Sequence, residues 1–141
     1  MPEMQIVTCA GAWAELSEVA WRVRDHAALV VSDTKVGCCI LVQDGNGYVR
    51  VGGCNVEHPF LSTSIHAEAN AIGSMITNFG PEARAIKILV AARRGKFLPC
   101  GQCMDMIIQY GGPTCEVGYQ NKPSGPIRWA LARHLMPEYP E

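Results

Sequence analysis

The chain has 141 residues, of which 48% are apolar and 18% charged, with a formal net charge of −1; that length supports one domain with a real core, taken as residues 1–141. Its basic residues are scattered and Arg93-Arg94 is the only basic dipeptide, which excludes a polynucleotide footprint and leaves small molecules as the default substrates. No apolar run approaches the roughly 18 residues of a membrane span, the first residues lack the pattern of a secretory signal, and seven cysteines without framework spacing fit a reduced, cytoplasmic protein. From about Ala12 to Val31, apolar residues recur at Trp13, Leu16, Val19, Ala20, Val23, Ala27 and Val30, which predicts a helix. Val36–Val42 then reads as a strand, and Asp44-Gly45-Asn46-Gly47 as a hairpin turn into a second strand over Tyr48–Cys54. His66–Asn78 has good helix formers and stops at Gly80-Pro81. Ala85–Ala92 is an apolar run broken only by Lys87, expected for a strand buried on both faces. Cys100–Tyr110 is a helix in pattern, Thr114–Tyr119 a strand, and Ile127–Leu135 a terminal helix or strand–helix. Strands interleaved with helices predict an α/β fold with a sheet covered on both faces.

Two short motifs carry the chemistry. His66-Ala67-Glu68 and Pro99-Cys100-Gly101-Gln102-Cys103 each open a predicted helix. Together they resemble the H-x-E…P-C-x-x-C signature of zinc deaminases. Cysteines three apart at a helix start share a face and can reach one metal. The helix N-terminus favours the thiolate that Zn²⁺ requires. His66, Cys100 and Cys103 make three ligands, and a fourth position left to water is the pattern of a catalytic rather than a structural zinc. Glu68, two residues from His66, is badly spaced to bind the same ion and well placed to hydrogen-bond that water and move its protons. Alone, either motif has a blander meaning: a lone C-x-x-C is often structural or redox, and a lone His-Ala-Glu means almost nothing. His26, His58 and His134 are isolated. Cys9, Cys38, Cys39, Cys54 and Cys115 read as small buried hydrophobes.

Further residues resemble the cytidine deaminase family. Gly53-Cys54-Asn55-Val56-Glu57 is similar to its G-x-N-[VI]-E segment, eleven positions separate Asn55 from His66 as in the small members, and Val36-Gly37-Cys38-Cys39 and Leu135-Met136-Pro137-Glu138-Tyr139 are similar to two other segments. The resemblance implies a three-layer α/β/α sandwich with a mixed five-stranded sheet. It implies that Asn55 and Glu57 hydrogen-bond a ribose hydroxyl and that the Ala67 N–H contacts the pyrimidine carbonyl. It also implies a homo-oligomer, a tetramer rather than a dimer, in which Tyr139 is a candidate to reach a neighbouring site. The chain departs from the pattern as well. His66 stands where small members usually have Cys, and Ala69 where they have Arg. The two changes agree in charge, because one His and two thiolates leave Zn²⁺ about neutral. Met104 and Asp105 replace Arg and Gln, Thr34 stands in place of a pocket aromatic, and Leu61 in place of Tyr.

The expected activity is hydrolytic deamination of cytidine or deoxycytidine, with a nucleoside and water as the only partners besides the oligomer. The departures keep open an alternative substrate, a modified cytosine nucleoside of the blasticidin S type. A reading from another class, a zinc module that only staples the fold, would leave Glu68 without a task.

Overall fold

The computed structural model describes residues 4–45, 47–60, 63–95 and 97–136. It contains β1 (Gln5–Val7), α1 (Gly11–Arg24), β2 (Gly37–Asp44), β3 (Gly47–Cys54), α2 (Ala67–Phe79), β4 (Arg84–Ala91), α3 (Gly101–Gly111), β5 (Glu116–Gln120), β6 (Ile127–Leu131) and α4 (Ala132–Leu135). The strands form one sheet in the order β1-β6-β5-β4-β2-β3, parallel only between β4 and β5. The mixed sheet is as expected, but it has six strands rather than five. The extra one is β1, whose three residues pair antiparallel with β6 through Gln5–Trp129 and Val7–Ile127. Three residues are too short to register as an alternating pattern, so pairing with β6 defines this strand.

Side-chain alternation divides the core in two. On β2, Cys38, Ile40 and Val42 point to one face, while Cys39 and Leu41 point to the other. On β4, Ile88 and Val90 share the first face, and Leu89 and Ala91 the second. Both faces of these central strands are covered, which is why the second half of β4, from Ile88 to Ala91, reads as an uninterrupted apolar run after Lys87. Helix α1 covers the second face with Trp13, Leu16 and Ala20. Helices α2 and α3 cover the first with Ala71, Ile72, Met75 and Ile107. The result is the three-layer sandwich, and each fully buried Ile or Leu in it contributes roughly 1.5–3 kcal/mol. No helix among the described residues is long and apolar enough to cross a membrane.

Helix α1 ends seven residues before the predicted boundary at Val31. Asp25, His26 and Ala27 close it with backbone bonds to Arg22, Val23 and Arg24. Ala28 then pairs with Asn55 and Glu57 through its own backbone groups. Tertiary pairing therefore takes Ala27 and Val30, whose helical spacing belongs to an irregular loop. The C-terminal segment resolves into strand β6 followed by the single turn α4.

Register places the functional edge. Gly37, the first residue of β2, pairs with Cys54 at the end of β3 and with Ala91 at the end of β4. Ala91 in turn pairs with Gln120 at the end of β5. The chain thus leaves β3 for α2, and β4 for α3, from the same edge of the sheet. In open α/β sheets the crevice outside the carboxyl ends of the strands is where ligands bind.

Candidate active site

Helices α2 and α3 start beside each other, with His66 and Cys100 as their N-cap residues. An N-cap side chain usually accepts a hydrogen bond from the first turn; neither of these does. Both are left to face a common point instead. The His66 Nδ1 atom is 3.4 Å from the Sγ of Cys100 and 3.4 Å from that of Cys103. The three donor atoms all lie within 4.8 Å of one another. Tetrahedral Zn²⁺ with Zn–S of about 2.3 Å and Zn–N of about 2.05 Å places N and S about 3.6 Å apart, so the donor set and its spacing fit that ion. His66 and Cys100 are exposed on the pocket side, and Cys103 is buried. Burial pushes the Cys103 thiol well above its ordinary value, and the nearby Glu68 carboxylate adds to this. A divalent cation reverses that preference, since a coordinating thiol is deprotonated outright.

Glu68 is the second residue of α2 and is only 4% exposed. Its carboxyl lies beside His66 and Cys103. Burial raises its pKa above the ordinary carboxylate value, while the neighbouring His66 acts the other way. A buried carboxyl at the floor of a crevice, next to a metal-binding triad, is placed to exchange protons with whatever the metal holds. Ala67 precedes it and is fully buried, at the positive end of α2.

Above this floor opens a cavity of about 400 Å³. His66, Ala67, Glu68 and Cys100 form its base. Ser32, Asp33, Thr34 and Val36 line one wall with Asn55 and Glu57, and Arg94, Phe97 and Leu98 line another. All the sequence-predicted site residues except Cys103, which lies beneath, meet in this one cavity. Sequence reasoning missed Arg94, Phe97 and Leu98, because a loop without a motif gives no sign of which way it folds. Phe97 supplies an aromatic side chain to the cavity in which Thr34 stands in place of one. Met104 packs into the core at 3% exposure. Leu61 and Tyr139 lie outside the described residues.

Asn55 and Glu57 turn out to have structural partners of their own. Asn55 Oδ1 accepts from the Val36 N–H at 2.9 Å, and its Nδ2 donates to the Thr34 carbonyl at 2.9 Å. Glu57 Oε1 accepts the backbone N–H groups of Val30, Val31 and Ser32 at 2.9–3.0 Å, and Oε2 accepts the Ser32 hydroxyl. The Ser32 hydroxyl, followed by these three backbone donors, lowers the Glu57 carboxyl to about 2. Both side chains therefore shape the wall formed by residues 30–36, whatever else they touch.

A family model for the cytidine and deoxycytidylate deaminase zinc-binding region matches residues 13–119. The chain belongs to this zinc-binding deaminase family. A cytidine deaminase from Sporosarcina psychrophila is 28% identical over 116 residues, 82% of each chain. The crystal structure of cytidine deaminase from Burkholderia pseudomallei matches with a TM-score of 0.79 at 27% identity, over 91% of this chain and 98% of that one. The Mycobacterium leprae enzyme matches with a TM-score of 0.75 over 92% of this chain and 100% of that one; at 22% identity this likeness concerns the fold. As a family member the chain is a zinc-binding hydrolase of the deaminase type, and zinc is its cofactor.

The remaining cysteines fit the buried-hydrophobe reading in part. Cys38, Cys39 and Cys115 are buried, while Cys9 and Cys54 are half-buried. Burial pushes the Cys39 and Cys115 thiols up to about 12, which leaves them uncharged and unreactive at neutral pH.

Proposed function

We propose that this family member hydrolyses the exocyclic C4 amine of a cytosine nucleoside, giving the uracil form and ammonia. The observation that carries the reading is the buried Glu68 carboxyl beside the His66, Cys100 and Cys103 donors, at the base of a cavity of about 400 Å³. His66, Cys100 and Cys103 would hold the ion. When bound, Zn²⁺ acts as a Lewis acid that lowers the pKa of a coordinated water from about 15.7 to around 7. Glu68 accepts one proton from the attacking water and passes it to ring N3. It then takes the remaining proton from the hydroxyl now on C4 and delivers it to the amine as the C4–N bond breaks, so that ammonia leaves and the carbonyl forms. Proton transfers of this kind each contribute ~10²–10⁴-fold in rate. The Ala67 N–H, at the start of α2, is assigned to the pyrimidine carbonyl. Asn55 and Glu57 are assigned to a ribose hydroxyl, each through capacity left beside its backbone partners: Asn55 keeps a second N–H, and Glu57 further lone pairs.

Exposed apolar side chains at Val30, Val31, Phe60 and Ile65 follow or precede the pocket-lining segments. They support association with further copies of the chain, a tetramer by resemblance to the small family members. Seven cysteines, two of them assigned to the metal and none in a disulfide among the described residues, support a reducing, cytoplasmic setting. Thr34 on the wall of the cavity, where the family has an aromatic ring, favours as second reading a cytosine nucleoside with a modified base or sugar.

The test is ultraviolet detection of turnover by the zinc-loaded protein on cytidine, deoxycytidine, cytosine, adenosine, guanine and blasticidin S. Cytidine or deoxycytidine should turn over fastest. Rapid turnover of an analogue with none of cytidine would replace the first reading by the second.

A further inference from the structure

Beside the catalytic cavity lies a second cleft, of about 240 Å³, lined by Arg24, Asp33, Thr34, Lys35, Arg93 and Arg94. It is continuous with the first: Asp33, Thr34 and Arg94 line both. It contains none of the His66, Glu68 and Cys100 group, so it adjoins the reacting end without being part of it. Four cations face one carboxylate there, in a chain whose net charge is −1. Among the described residues, Arg93, Arg94 and Lys35 make no ion pair. Arg24 has only Asp25, at 3.8 Å and largely exposed.

This clustering is held in place from below. The guanidinium groups of Arg24 and Arg93 both lie over the Trp21 ring, 5.4 and 5.3 Å from its centroid. Trp21 Nε1 donates to Gln120 Oε1 at 2.7 Å, and Gln120 is itself buried and held by Ser17 and the Gly125 carbonyl. Arg24 Nε also donates to the Lys35 carbonyl at 3.2 Å. Bringing like charges together costs energy unless an anion joins them, and a cleft lined by one sign concentrates oppositely charged ligands.

We propose that this cleft is an anion subsite and that the preferred substrate is a cytosine nucleoside monophosphate, whose phosphate it receives. The inference rests on the deaminase reading above and names the substrate class within it. Phosphate suits the cleft better than a carboxylate because a monoester carries about −1.5 to −2 charge at neutral pH. Planar guanidinium groups also match its oxygens in pairs. The scattered basic residues gave no hint of this, since the four cations come from three separate stretches of sequence.

The experiment compares kcat/KM of the zinc-loaded protein for cytidine, CMP and dCMP, in the native chain and in the Arg93→Ala and Lys35→Ala variants. The monophosphates should exceed cytidine by about tenfold or more, as expected for hydrogen bonds to a charged group. The ratio should fall by a similar factor in each variant, and in the native chain it should fall with rising salt. The salt series decides the matter if a variant does not fold. Inorganic phosphate distinguishes a free anion from a substrate group: competition against CMP but not against cytidine supports the subsite, whereas activation of cytidine turnover by phosphate overturns it in favour of a free effector. Turnover of cytidine equal to or above CMP, or a ratio that neither substitution nor salt moves, overturns the subsite and leaves the deaminase reading standing. Turnover of no cytosine compound overturns both.

Discussion

Glu57 and Asn55 tie the segment 30–36 to the end of β3, and their bonds show how one side chain can build a wall of a site. Glu57 gathers three consecutive backbone N–H groups on one oxygen, which a neutral amide could do only in part. Its carboxyl is lowered from 4.5 to about 2, first by the Ser32 hydroxyl and then by these backbone donors. A carboxyl lowered in the folded state contributes stability above its unfolded value, and that contribution disappears as the pH falls through the folded one. The window is therefore pH 4.5 down to 2. The denaturation midpoint of the native chain should drop across that window more steeply than that of Glu57→Gln, measured by urea titration at several pH values. Equal slopes would remove this role from Glu57. Residues of this kind are partly legible in sequence: the motif from Gly53 to Glu57 marks them as important, but not that they anchor residues 30–36, because that partner lies some 25 positions away.

At the scale of elements, the packing of α2 against β3 sets the position of His66 and Glu68. Gly53 is the contact point. A Cβ there would lie 2.5 Å from the Ala71 nitrogen, 2.8 Å from the Ala67 carbonyl oxygen and 2.9 Å from the Ala71 Cα, all backbone of α2. Backbone cannot rotate away, so Gly53→Ala must push the helix off the strand and carry the His66 and Glu68 end with it. Overpacking of this sort costs about 1–3 kcal/mol. Thermal melting should show a lowered midpoint, and turnover should fall further than the loss of folded protein explains. Unchanged activity per folded molecule would mean that α2 can shift without disturbing the site. The helices α2 and α3 were legible because each carries its own stop signal and good helix formers. The end of α1 was not, since Ala27 and Val30 keep helical spacing while Ala28 pairs with Asn55 and Glu57. Strand β1 was not, because pairing rather than pattern defines it.

For the whole molecule, the sheet edge where β3, β4 and β5 end brings together what the sequence separates. The metal donors were legible as two short motifs, each a local pattern with a chemical reason for its spacing. The cavity wall at Arg94, Phe97 and Leu98 and the basic cleft beside it were not, because they exist only once two loops fold towards each other. The central claim joins these scales: the donors hold zinc, and the buried Glu68 beside them moves the protons. It is tested most directly by Glu68→Gln, with zinc content, melting and turnover measured on the same preparation. The account predicts zinc bound and the fold retained, with turnover reduced by about 10²–10⁴-fold. A zinc-loaded Glu68→Gln protein with native turnover would contradict it.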